Sequence, residues 1–103
     1  MTSTLEKIRR LEQYISANNA AADSVIDRTL DKLLERETAS MRKVKARLES
    51  QLRAFEETYD MTSELFYEKF TGGGLGDKTD HIEWASTVEM LQNVERRLDA
   101  LEL

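Results

Sequence analysis

His81 is the sole histidine of the chain, and it stands among carboxylates: Asp77, Asp80 and Glu83 lie within four residues of it. A metal centre would need such donors to converge, but their spacing follows no calcium-loop pattern, and Asp80 and Glu83 suit the cap and third residue of a helix start. Just upstream, Gly72-Gly73-Gly74-Leu75-Gly76-Asp77-Lys78-Thr79 ends in a lysine-threonine pair of the kind that binds nucleotide phosphates. That motif needs a glycine directly before the lysine and a strand before the loop. Here Asp77 sets a carboxylate against the phosphate, and the preceding segment reads as helix. Nucleophilic catalysis lacks its parts as well, because there is no cysteine and no strained serine turn for His81 to activate. The residues predict no enzyme, no metal and no cofactor.

One basic cluster remains: Arg42, Lys43, Lys45 and Arg47, with no acid between Thr38 and Ala46. It has no interleaved aromatics and no helix-turn-helix around it, so nucleic acid is not the expected partner. It reads as the flank of a coiled coil, or as the mate of another subunit's acidic half. Such a half exists. Residues 1 to 55 hold 11 Lys/Arg against 8 Asp/Glu, whereas residues 56 to 103 hold 4 against 12, giving the net charge of −5.

The elements that would carry these groups are helical. Charged residues make up 34% of the 103 positions, proline is absent and aromatics are 7%, a balance that favours helices with solvated faces over a sheet. With no cysteine there is no disulfide framework. No apolar run approaches the roughly 20 residues that span a bilayer, and Glu6, Lys7, Arg9 and Arg10 interrupt the first eleven residues, so neither membrane span nor signal peptide is expected and the cytoplasm is the default. A chain this short buries a modest core, which makes self-association the prior.

Leu5, Ile8, Leu11 and Ile15 fall on one helical face and predict a helix over about 3–18, fading at Asn18 and Asn19. Ser24 and Asp27 have the spacing of a capping box and open a second helix, over about 24–60. Along it run Leu30, Leu34, Glu37, Met41, Val44 and Leu48 at steps of 4, 3, 4, 3 and 4, followed by Leu52, Phe55 and Tyr59. That alternation keeps a seam towards a partner helix, so these nine residues are the expected oligomer seam, with a local unwinding near Leu48 to Leu52. Glu37 is either a register device in the seam or an edge residue reaching water. Asp27, Asp31 and Glu35 run beside Arg28, Lys32 and Arg36, two stripes of opposite sign suited to pairing with a second helix or to a solvated face.

Thr62 reads as the cap of a short helix over 63–71, with Met61 and Phe66 as a hydrophobic staple. The glycines of 72–76 end it, and a last helix is expected over about 81–101 with Trp84, Val88, Leu91, Val94, Leu98 and Leu101 on its apolar face. This last helix could lie antiparallel along the end of the long one. The fold expected is therefore all-α: one domain over 1–103, an elongated coiled-coil-like hairpin or bundle around one long central helix, completed by homo-oligomerisation. Phe66, Tyr67, Phe70, Asp77, Asp80, Glu83 and Trp84 are the candidates for docking a partner, aromatic anchors ringed by acids, unless the rings simply close the core.

The run Val25-Ile26-Asp27-Arg28-Thr29-Leu30-Asp31-Lys32-Leu33-Leu34-Glu35-Arg36-Glu37, the stretch Tyr59 to Phe70, Gly74-Leu75-Gly76-Asp77 and Ile82-Glu83-Trp84 together resemble a family of short helical prokaryotic proteins. Its members occur in cyanobacteria and archaea, often encoded beside small toxin-like genes, and are commonly read as antitoxin-like. The resemblance covers nearly the whole chain. Three consecutive glycines, and His81 in place of a more usual aromatic, depart from the pattern. The resemblance implies neutralisation of a small toxin by direct binding, with the acidic half covering a basic toxin surface. It brings no catalytic residues. The alternative is a coiled-coil oligomerisation scaffold without a toxin.

Overall fold

The computed structural model describes residues 2–17, 23–76 and 78–102. Four helices follow one another: α1 (Thr4–Ala17), α2 (Ser24–Tyr59), α3 (Ser63–Thr71) and α4 (Thr79–Leu101). Among the described residues there is no strand, and no helix is long and apolar enough to cross a membrane. The all-α expectation holds, with one long helix as its main member. Asn18 and Asn19, the expected end of the first helix, lie outside the described residues.

Each helix begins and ends for a local reason. α1 opens on a reciprocal capping box unread in the sequence: the Glu6 amide donates to Ser3 Oγ at 3.1 Å, and the Ser3 amide donates to the Glu6 carboxylate at 3.3 Å. α2 is capped by Asp23, whose carboxylate accepts from the Val25 amide at 2.7 Å. Ser24 is thus already helical, which corrects the Ser24–Asp27 box by one residue. α2 ends at Asp60, whose φ of 48° is tolerated because a short polar side chain is the least penalised after glycine in the left-handed region. Thr62 caps α3 as expected, accepting from the Leu65 amide at 3.2 Å. At its far end Gly73, with φ 77°, donates to the Phe70 carbonyl and Gly74 to that of Lys69, the paired bonds of a Schellman stop.

The contacts divide the chain into two units, Met1–Leu34 and Glu35–Leu103. In the second, α2 and α4 run antiparallel: Arg42 reaches Glu102, Leu48 packs with Val94 and Leu98, and Tyr59 meets His81. Two small cores result. One gathers Leu52, Phe66, Trp84 and Ala85, with Phe55, Tyr59, Met61 and Phe70 against them; the other joins Leu48, Val94 and Leu98 to Met41 and Val44. Six of the nine expected seam residues, from Met41 to Tyr59, therefore pack against the chain's own α3 and α4. The physical reason is that α4 carries a matching apolar stripe, and the glycine turn lets it fold back onto α2.

Candidate protein-interaction surfaces

The aromatic site of Glu35–Leu103 is built on α4. Trp84 and Phe66 are both fully buried, their rings 3.9 Å apart and within 3° of parallel, and Phe55 and Tyr59 of α2 stack on the same indole at 5.5 and 5.7 Å. The indole N–H donates to Ser63 Oγ at 2.9 Å, so the one polar atom of the ring is satisfied inside. His81 is buried too. Its ring meets Tyr59 and Phe66, and its Nδ1 lies 3.2 Å from the Gly76 carbonyl, an acceptor that requires the proton on that nitrogen.

Burial thus sorts the docking candidates. Phe66 and Trp84 close the core and present no surface; Tyr67 and Phe70 are half-buried; Asp80 and Glu83 are exposed; and Asp77 lies outside the described residues. Asp80 is not the cap of α4, which begins at Thr79, directly after its cap residue Lys78, without a side-chain cap hydrogen bond. Its carboxylate instead accepts from the Tyr59 hydroxyl at 2.6 Å. That bond holds the Tyr59 phenol above its ordinary value, with partial burial adding to the effect, and Glu89 does the same to Tyr67 at 3.0 Å. The Glu56 carboxylate accepts from the Ser63 amide at 2.8 Å and ties α3 to α2. Of the basic cluster, Arg42 is paired with Glu102 at 2.6 Å across the open end of the hairpin, both side chains solvated, a bond of small energetic value.

Two surfaces stay open. Met1–Leu34 has no buried residue among those described, and six of the nine large exposed hydrophobics belong to it: Leu5, Ile8, Tyr14, Val25, Leu33 and Leu34. Leu30 is half-buried, whereas Leu34 and Glu37 are exposed, so among the described residues the first third of the expected seam belongs to neither core and Glu37 reaches water. The second surface is a groove of about 580 Å³ between α2 and α4, floored by Phe55, Ala54 and Thr87, walled by Ile82 and Met90, and edged by Asp80 and Glu83. Sequence reasoning missed this groove, although Ile82 and Met90, eight residues apart and off the main stripe of α4, were its signal. Compared with protein-family models, with curated proteins and with solved structures, the chain matches none.

Proposed function

We propose that the chain is a protein-interaction module of antitoxin-like kind, in which Glu35–Leu103 is the folded body and the apolar faces of Met1–Leu34 grip a small toxin partner. The observation that carries this reading is the concentration of exposed Leu, Ile, Val and Tyr side chains in a unit with no buried residue of its own among those described. Apolar surface of this density marks a protein-binding site, because leaving it in water forgoes roughly 25 cal/mol per Å². The surplus acids of residues 56 to 103 would steer a basic partner toward the complex and set its choice more than its strength.

The test is co-expression with the small protein encoded next to this one. Growth inhibition by that neighbour should be relieved by the native chain, and Leu5→Asp with Leu33→Asp should abolish relief while circular dichroism stays helical. A neighbour without toxicity, or relief that survives both substitutions, would sink this reading. The first of these outcomes favours the alternative of an oligomerisation scaffold.

A further inference from the structure

The groove between α2 and α4 does not stop at its acidic edge. On α4, Ile82, Glu83, Ser86 and Met90 line it, and at 100° per residue the same face continues through Asn93 to Arg97. On α2, Gln51, Ala54 and Thr58 line it, and the same face continues back to Arg47. Because Leu48 packs with Val94 and Leu98, Arg47 and Arg97 stand at the same end of the hairpin, opposite Asp80 and Glu83. Glu83, Arg47 and Arg97 are exposed, and none is in an ion pair among the described residues. The face thus has Ala54, Phe55 and Met90 among small polar side chains in its middle, acids at one end and arginines at the other.

Its centre is fixed by the numbering. Glu83 and Arg97 lie seven residues to either side of Met90, whose side chain is 48% exposed. Turning a second copy by 180° about an axis through Met90 places Glu83 of each copy at the height of Arg97 of the other. A two-fold contact needs this kind of self-complementary patch, where the groups at equal distances from the axis are opposite in charge. A different protein would have no reason to match that symmetry. We infer that this face joins two copies of the chain in a four-helix bundle, with paired Met90 side chains at the axis and a Glu83–Arg97 pair on each side. The small residues Ala54 and Ser86 leave room for the opposing helices to approach. The inference concerns Glu35–Leu103 alone, so it stands or falls separately from toxin binding by Met1–Leu34.

Sedimentation of the 103-residue chain across concentrations provides the test. The native protein should form a dimer at or below about 100 μM. Met90→Glu, which brings two carboxylates together at the axis, should leave monomer with unchanged helical signal. Glu83→Arg and Arg97→Glu should each weaken the dimer roughly tenfold, since every reversal acts twice in a two-fold contact. An equimolar mixture of those two single variants should recover the native affinity, because in the mixed dimer each reversed charge faces its reversed mate. A native chain that stays monomeric, single reversals without effect, or a mixture no tighter than its components would overturn the inference. A dimer that tolerates Met90→Glu but is lost with Leu33→Asp would place self-association on the other unit and overturn it as well.

Discussion

Met1–Leu34 and Glu35–Leu103 use the same kind of sequence and reach opposite results. Both carry apolar residues at helical spacing with charges between them, yet the second has Leu48, Phe66 and Trp84 essentially out of water while the first has no buried residue among those described. The difference lies in what is available to cover the stripe. From Met41 onward the seam of α2 meets a returning helix of its own chain, whose Trp84, Val94 and Leu98 fill it. Leu5, Ile8, Leu33 and Leu34 remain in contact with solvent. A helix of 14 residues such as α1 is marginal in water without tertiary packing, so its stability depends on whatever covers it. Amphipathic periodicity therefore states that a face will be covered and leaves the identity of the cover to the rest of the molecule.

Truncation should separate the two regions most sharply. Trp84→Ala removes the ring on which Phe66, Phe55 and Tyr59 stack and leaves a cavity, a loss of about 3–5 kcal/mol that is a large part of the stability of a chain this size. Urea unfolding followed by circular dichroism should show that loss. Leu5→Asp with Leu33→Asp should move the same transition by no more than about 0.5 kcal/mol per site, as befits exposed positions. Equal losses from the two sets would erase the distinction.

A smaller effect comes from pH, and it too is confined to Glu35–Leu103. The Tyr59 phenol is held above its ordinary value, first by the hydrogen bond to Asp80. The folded state favours the neutral phenol, so this contribution is fully present below the unfolded value and is lost as pH rises through the raised folded one. Stability should decline in that alkaline window, and Tyr59→Phe with Tyr67→Phe should flatten the decline, because the second phenol is raised in the same way by Glu89. Thermal melts at pH 9, 10 and 11, chosen to bracket the ordinary tyrosine range, read the slope. An identical slope in native and doubly substituted protein would assign it to other groups.

Much of the fold was legible in the residues. The long helix, the Thr62 cap, the glycine stop and the apolar stripe of α4 follow from spacing and turn chemistry, and all appear where expected to within two residues. The capping boxes were harder. Ser24–Asp27 and Asp80–Glu83 both fit the pattern, but Asp23 competes for the first and the Tyr59 hydroxyl, 21 positions away, draws Asp80 from the second. Local pattern contains no information about such a distant donor. The same limit governs the candidate sites. Phe66 and Trp84 had the composition of docking anchors, and only the return of α4 shows that they face each other. Periodicity predicts a seam from Leu30 to Tyr59 but does not say which helix packs on it, and from Met41 onward the chain's own α3 and α4 do so. The groove between α2 and α4 needed both helices in place before Ile82 and Met90 could be seen to share a wall with Phe55.

Amide hydrogen exchange on the 103-residue chain, free of any partner, addresses the contrast between the two units most directly. The expected result is strong protection for amides of α2 beyond Met41 and of α4 from Trp84 to Leu98, which close over the two cores, and rapid exchange for α1 and for α2 between Val25 and Leu33. Added partner should then slow exchange in α1 and the start of α2 more than anywhere else. Uniform protection of the free chain from Thr4 to Leu101 would contradict the account, since Met1–Leu34 would then be stable without anything to cover its apolar face.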